Sequence, residues 1–117
     1  MLRSDWIENL IEIPSSPGIY LWQVAEDSYV GKTMNLKRRV REYRGNLVAQ
    51  LTRRDYHIVG RDFRPVHKAM LKCYEAEAAA KFSILQLVSP DEIHRLREFE
   101  RSWIDVYQPT LNGKRRQ

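Results

Sequence analysis

Two short strand-forming segments separated by a turn constrain the fold of this chain most. Residues 19–24 and 29–33 are rich in aliphatic, β-branched and aromatic side chains, and the polar residues 26–28 between them indicate a turn. We therefore predict an antiparallel hairpin. In a hairpin with an even-length loop, residues whose numbers add up to an odd value lie on one face, so Tyr20 and Tyr29 should share a face. The two rings either pack as ordinary strand aromatics or contribute phenols to a site.

Asn35 and the residues after it predict a helix. Asn35 is a favourable N-cap. Four apolar residues recur at helical spacing as the inward stripe of this helix, namely Leu36, Val40, Tyr43 and Leu47. Arg39 precedes Tyr43 by four positions, so the two side chains should lie one above the other near the edge of the stripe.

The remaining elements follow from capping and periodicity. A short helix opened by Ser4 or Asp5 should pack Trp6, Ile7 and Leu10 inward, and residues 52–64 read as irregular. A second main helix should start at Pro65, and a third strand should cover about residues 82–88. A last helix, with Ser89 and Glu92 as a capping box, should run to about residue 107.

Composition indicates one domain with a polyanionic partner. The 117 residues suit a single domain that ends in a basic tail at 113–117, and their formal charge is +5. Four basic residues of the first main helix should contact nucleic acid, unless they form a merely solvated face, and these are Lys37, Arg38, Arg41 and Arg44. With no membrane-spanning run, no secretory signal and a single cysteine, we expect an intracellular protein, cytoplasmic or nucleoid-associated.

The last helix carries a carboxylate inside its apolar stripe. Glu100 lies four residues after Leu96 and three before Trp103, both of which should face the core. A buried carboxylate costs several kcal/mol unless it is paired, protonated or bound to a metal. Glu100 should therefore form an ion pair, with Arg39 as the basic candidate, or hold a metal ion.

Several short motifs in register resemble the GIY-YIG nuclease family. They are Gly18-Ile19-Tyr20, then Tyr29-Val30-Gly31-Lys32-Thr33 with Asn35-Leu36, and finally Glu100 followed by Pro109 and Asn112. Arg39 stands ten residues after Tyr29, and Glu100 stands twelve before Asn112, where this family places its arginine and its metal-binding glutamate. The resemblance covers residues 17–112, which we take as the core of the domain. Each tripeptide alone would be weak, and the resemblance depends on their order and spacing.

The resemblance implies an α/β sandwich and a metal-dependent reaction. The expected fold is a small α+β domain with a three-stranded, mainly antiparallel sheet flanked by helices. The expected activity is phosphodiester hydrolysis with one divalent metal, Mg²⁺ or Mn²⁺, held by Glu100. Arg39 would bind the scissile phosphate, and either Tyr29 or Tyr20 would accept the proton of the attacking water.

Three further residues take roles from the same resemblance. Lys32 either favours the phenolate or is a solvated charge at a strand end, and Asn112 either hydrogen-bonds within the site or is an ordinary turn residue. Tyr43 stands where homing members of the family often have histidine and where repair members have tyrosine. His57, His67 and His94 lack metal-ligand spacing, so we interpret them as structural or surface residues.

The partner is expected to be DNA, with no membrane contact. Within this family the nuclease unit is often joined to a separate DNA-binding part, and cleavage of both strands by one active site would require a homodimer or two successive nicks. The alternative is a binding module that retains the fold and does not cut. Glu100 argues against that alternative, because a carboxylate repels DNA phosphates unless a metal reverses its charge.

Overall fold

The computed structural model of the protein describes residues 2–8, 12–52 and 62–113. Its strands and helices in chain order are β1 (Ile7–Glu8), β2 (Gly18–Val24), β3 (Asp27–Thr33), α1 (Leu36–Leu51), α2 (Pro65–Glu75), β4 (Ala80–Leu87) and α3 (Leu96–Tyr107). Short 3₁₀ helices occupy Ser4–Trp6, Pro90–Arg95 and Thr110–Asn112. Leu10, most of the segment predicted to be irregular and most of the basic tail lie outside the described residues.

The strands form one mixed sheet in the order β1-β4-β2-β3. β2 pairs antiparallel with both β3 and β4, and β1 runs parallel to β4. The predicted class, an α+β fold with a mainly antiparallel sheet flanked by helices, is confirmed. The predicted count of three strands is wrong, because Ile7–Glu8 is a strand and only Ser4–Trp6 is helical. Ile7 pairs with Ala80 at the edge of β4. This pairing satisfies backbone groups that would stay unpaired in an isolated helical turn.

The β2–β3 hairpin is tighter than predicted. Val24 pairs with Asp27, so the loop contains only Ala25 and Glu26, and the expected turn at residues 26–28 is wrong. Ala25 has a φ of 56°. Two-residue hairpin loops require positive φ because their twist must match that of the strands. No glycine or asparagine marks this loop, which is why the sequence did not reveal it.

The first two main helices begin where the sequence predicts. The Asn35 side chain accepts a hydrogen bond of 2.9 Å from the Arg38 backbone N–H, and the helix continues past Gly45 to Leu51. The predicted stripe of α1 is buried. The second helix starts at Pro65, and β4 then starts at Ala80, two residues earlier than predicted.

The predicted last helix is divided into two parts. Pro90–Arg95 is 3₁₀, and the α-helix begins only at Leu96. The side chain of Ser89 forms no cap hydrogen bond, so the predicted capping box is wrong. The Ser89 carbonyl instead accepts the Glu92 backbone N–H at 3.0 Å. This shorter-range bond closes the tighter 3₁₀ turn.

A hydrophobic layer covers each face of the sheet. On one face, Tyr20, Trp22 and Phe82 pack against α1 and α2, and the ring centroids of Trp22 and Phe82 are 4.9 Å apart. On the other face, Val30 and its neighbours pack against Leu96 of α3. Adjacent residues of β3 therefore point to different helical layers. Within the described ranges, no helix combines the length and apolar character that a bilayer crossing requires.

Candidate active site

Three tyrosines meet on the α1 face of the sheet. Tyr20 and Tyr29 share that face, as predicted, with ring centroids 6.3 Å apart. Tyr43 of α1 contacts Tyr20 edge to face at 5.9 Å, and a hydrogen bond of 2.9 Å joins their phenol oxygens. The exposed fractions of Tyr20 and Tyr43 are 1% and 4%, whereas Tyr29 is partly exposed. Tyr29 is therefore the phenol of the three that a substrate can reach.

Gly31 provides the space for the Tyr20 ring. The two residues pair directly across β2 and β3. A Cβ atom added to Gly31 would lie 2.4 Å from both Cζ and Oη of Tyr20, far inside van der Waals contact. The ring of Tyr20 thus lies flat across the backbone of its neighbour, and a side chain at position 31 would displace it.

The environment fixes the protonation of the two buried phenols. Burial raises the pKa of Tyr20 above its ordinary value, and the neighbouring Tyr29 adds to that effect. The hydrogen bond with Tyr43 and the charge of Arg39 lower the pKa of Tyr20, while Glu100 raises it. Burial also raises the pKa of Tyr43. Both phenols stay protonated at neutral pH, and the field of Arg39 and Glu100 reaches the tyrosine cluster.

Arg39 has an unused hydrogen-bond donor. Its Nε lies 3.1 Å from Oε1 of Glu42, which is within ion-pair distance. The same Nε is buried, and among the described residues it has no hydrogen-bond partner, because its N–H does not point at that carboxylate. The short distance therefore reflects charge attraction without a directed hydrogen bond.

Glu100 of α3 pairs with Lys32 of β3. The Lys32 Nζ lies 3.5 Å from Glu100 Oε1, and the exposed fractions of the two side chains are 43% and 18%. The ion pair of Glu100 with Arg39, one of our two expectations, is not formed. The alternation of β3 explains the choice of partner: Tyr29 points toward α1 and Lys32 points toward α3. The site is therefore built around both faces of this edge strand.

Asn112 holds the outer edge of β3. Its Oδ1 accepts the Val30 backbone N–H at 2.8 Å, and its Nδ2 donates to the Val30 carbonyl at 2.7 Å. Thr110 Oγ1 accepts the Ser28 backbone N–H at 3.1 Å. Ser28 and Val30, the residues on either side of Tyr29, thus form the hydrogen bonds that a further strand would otherwise supply at this edge of the sheet. Asn112 therefore fixes the backbone of β3 next to Tyr29.

Arg64 was not found by sequence reasoning. Its Nη1 is 3.4 Å from the Tyr29 phenol oxygen, a long hydrogen bond. Its backbone N–H donates to Nδ1 of His67 at 3.1 Å, which fixes Arg64 at the start of α2, and His67 is buried, consistent with a structural role. No local pattern predicts a contact between residues 35 positions apart in the chain.

The four basic residues of α1 that are predicted to bind nucleic acid differ in their surroundings. Arg38 pairs with Glu42 at 4.0 Å. The other three line a groove between α1 and the N-terminal segment, and they are Lys37, Arg41 and Arg44. Three of the four residues predicted to bind nucleic acid therefore line one groove, and Arg38 lies outside its described lining.

The sheet order, the phenol cluster and the paired glutamate define a small α+β domain with a polar site around an edge strand. Residues 16–115 match the family model described as the GIY-YIG catalytic domain. Because this match covers most of the chain, the protein belongs to the GIY-YIG catalytic domain family. The resemblance that the motifs indicated is thereby confirmed.

Two curated relatives share part of the chain. The UvrABC system protein C of Geobacter sp. (strain M21) is 52% identical over 48 residues, which is 39% of this chain and 7% of that protein. The UvrABC system protein C of Citrifermentans bemidjiense (strain Bem) is 50% identical over 48 residues, with the same coverage. The matched segment thus spans only 7% of the length of these relatives. No solved structure matches the chain.

Proposed function

We propose that this GIY-YIG domain is a metal-dependent DNA endonuclease that hydrolyses phosphodiester bonds. The family and the relatives named UvrABC system protein C support a nuclease acting on DNA. The residue roles rest on the surroundings of the buried Tyr20. The Tyr29 ring lies 6.3 Å from the Tyr20 ring between centroids, and Arg39 and Glu100 are both close enough to affect the pKa of the Tyr20 phenol.

Arg39 is proposed to bind the scissile phosphate. Its Nε–H lacks an acceptor within the described chain, and a phosphate oxygen would satisfy it. Guanidinium groups suit phosphate because several donors lie in one plane. Glu42 is half exposed, so it can move to solvent when a phosphate displaces it.

Tyr29 is proposed as the general base, in its phenolate form, accepting a proton from the attacking water. The choice between the two candidates follows from burial: Tyr20 has a raised pKa and no access to solvent, whereas Tyr29 is partly exposed. The guanidinium of Arg64 lies 3.4 Å from the Tyr29 oxygen, within reach of a hydrogen bond. Tyr20 and Tyr43 remain neutral and hold the position of the cluster through their hydrogen bond.

Glu100 is proposed to hold one Mg²⁺ or Mn²⁺ ion. In the described part of the chain, no three His, Cys, Asp or Glu side chains gather at one place, which excludes a closed zinc-type cage there. A single carboxylate does fit a hard cation that takes most ligands from water and phosphate. When bound, such an ion would supply positive charge for the leaving oxygen. The same carboxylate pairs with Lys32, whose ammonium group is half exposed.

The test is nicking of supercoiled plasmid with and without Mg²⁺ or Mn²⁺. We expect metal-dependent nicking by the wild type, and its loss in Glu100→Gln and Arg39→Ala by at least about a hundredfold. Glu98→Gln is the matched control, since this glutamate of the same helix is exposed and its carboxylate pairs with Arg95. Equal nicking by Glu98→Gln and Glu100→Gln would contradict the proposed role of Glu100. Binding without cutting at every metal concentration would favour the binding module.

A further inference from the structure

The groove beside α1 has a basic rim and an apolar floor. We define the α1 groove by its rim residues Lys37, Arg41 and Arg44, and by its floor residues Trp6, Ile13 and Val40. The groove is open to solvent, and its volume of about 530 Å³ is within the range of small-molecule sites. The three rim side chains are exposed, and no ion pair neutralises them within the described ranges of the chain.

Charge indicates what the groove binds. The described lining carries one carboxylate, Glu12, against the cations Arg3, Lys37, Arg41 and Arg44, and of these four Arg3 pairs with Asp5. Solvated basic side chains on an open helix face need no apolar floor beneath them. A floor and a basic rim together suit a ligand with a flat apolar part and flanking negative charges, which is the chemistry of a nucleotide whose base has left the stack.

The groove is separate from the proposed catalytic site. Arg39 and Tyr43 lie at one edge of the buried stripe of α1, and Lys37, Arg41 and Arg44 lie at the other edge, because residues repeat every 3.6 positions. A helix with its side chains is about 10–12 Å wide. The groove and a phosphate held by Arg39 would therefore lie on opposite flanks of one helix.

We infer that the α1 groove is a second nucleic-acid subsite, which takes one unpaired base of the DNA and holds its neighbouring phosphates on Lys37, Arg41 and Arg44. This inference rests on the proposed function only in taking DNA as the ligand. It adds a preference for DNA that contains an unpaired nucleotide close to the cleavage position.

The phosphate part is tested by fluorescence anisotropy with labelled DNA duplexes, without divalent metal so that no cutting occurs. The variant Lys37→Ala/Arg41→Ala/Arg44→Ala should bind at least about tenfold more weakly, and the slope of log affinity against log salt should fall by about two to three. The matched control is Lys72→Ala/Lys81→Ala/Arg97→Ala, which removes the same charge from other exposed positions. Equal effects of the two triple variants would refute a localised subsite.

The base part is tested with three duplexes of one sequence: fully paired, with one extra unpaired adenine, and with an abasic nucleotide in place of that adenine. The adenine duplex should bind about tenfold more tightly than the abasic duplex, and the rim variant should lose this difference. A 2-aminopurine at the unpaired position should change its fluorescence on binding to the wild type. Equal affinity for the adenine and abasic duplexes would show that no base enters the groove.

The two proposals fail in different ways. Groove-dependent binding by a protein that never nicks plasmid would contradict the proposed catalysis and leave the groove intact. Nicking by the wild type, with a rim variant that binds all three duplexes as the wild type does, would refute the groove and leave the catalysis intact. In that case the rim would serve a partner other than DNA, such as an acidic protein segment.

Discussion

Gly31→Ala should displace the Tyr20 ring. The added Cβ would lie 2.4 Å from Cζ and Oη of Tyr20 and 2.9 Å from Cε1, about 1 Å short of ordinary contact. Tyr20 is 1% exposed and packs against Phe82 at 5.5 Å between ring centroids, so it has no free volume into which it can retreat. Overpacking of this kind costs about 1–3 kcal/mol of unfolding free energy.

The assay is thermal and urea unfolding followed by circular dichroism. For a domain of this size we expect the melting temperature of Gly31→Ala to fall by roughly 4–12 °C. Gly45→Ala is the matched control, because nothing lies within 4 Å of a Cβ at that helical position. This control should gain about 0.5–1 kcal/mol from helix propensity.

A second background tests whether the Tyr20 ring causes the cost. Tyr20→Leu removes the ring atoms that the new Cβ would meet, so Gly31→Ala should cost less than about 0.5 kcal/mol in that background. The reasoning is refuted if Gly31→Ala costs the same in both backgrounds, or if it stabilises the wild type as Gly45→Ala does.

Three other predictions follow from the same contacts. Asn112→Ala should lose about 1–3 kcal/mol in urea unfolding, because two hydrogen bonds to Val30 disappear, and an unchanged midpoint would contradict this. Arg64→Gln should nick plasmid about tenfold more slowly, because the guanidinium donor to the Tyr29 oxygen is lost, and Arg64→Lys should partly restore the rate. Equal nicking rates of the wild type and Arg64→Gln would exclude that role. Burial raises the pKa of Tyr20, so the tyrosine ionises at lower pH in the unfolded chain than in the folded one. Its contribution to the free energy of unfolding is therefore complete below about pH 10. Above that pH the contribution is lost by about 1.4 kcal/mol per pH unit. Urea unfolding of Tyr20→Phe from pH 9 to 11 should show a correspondingly smaller alkaline loss than the wild type, and parallel curves would contradict the reasoning.

The parts of the site that depend on local periodicity were predictable from the sequence. The strand period alone places Tyr20 and Tyr29 on one face, and the structure has them 6.3 Å apart there. The helix period alone identifies the buried stripe of α1, including Tyr43. Both predictions are correct although the position of the hairpin loop was predicted wrongly. A change of two residues in loop length leaves the same residues on each face of the hairpin.

Contacts between distant segments were not predictable. The strand β1 has two residues, which is too short for any period to appear. The choice of Lys32 over Arg39 as the partner of Glu100 depends on how α3 lies against β3, and the bonds of Asn112 depend on where the chain returns after α3. Charge and hydrogen-bonding capacity identified these residues as needing partners, and only the packing of elements decided which partners they have.

The rotation of α1 about its own axis links the two proposed sites, because it sets the positions of the residues on both flanks of the helix. The backbone N–H of Leu36 donates to the Ser16 carbonyl at 2.9 Å, and that of Lys37 donates to the Pro14 carbonyl at 3.1 Å. Together with the Asn35 cap, these bonds satisfy donors that the first turn of a helix otherwise leaves unpaired. They also fix the angle at which the helix leaves the sheet. Because the flanks of one rigid helix rotate together, a groove that binds DNA beside α1 would also hold Arg39 in position toward the phosphate.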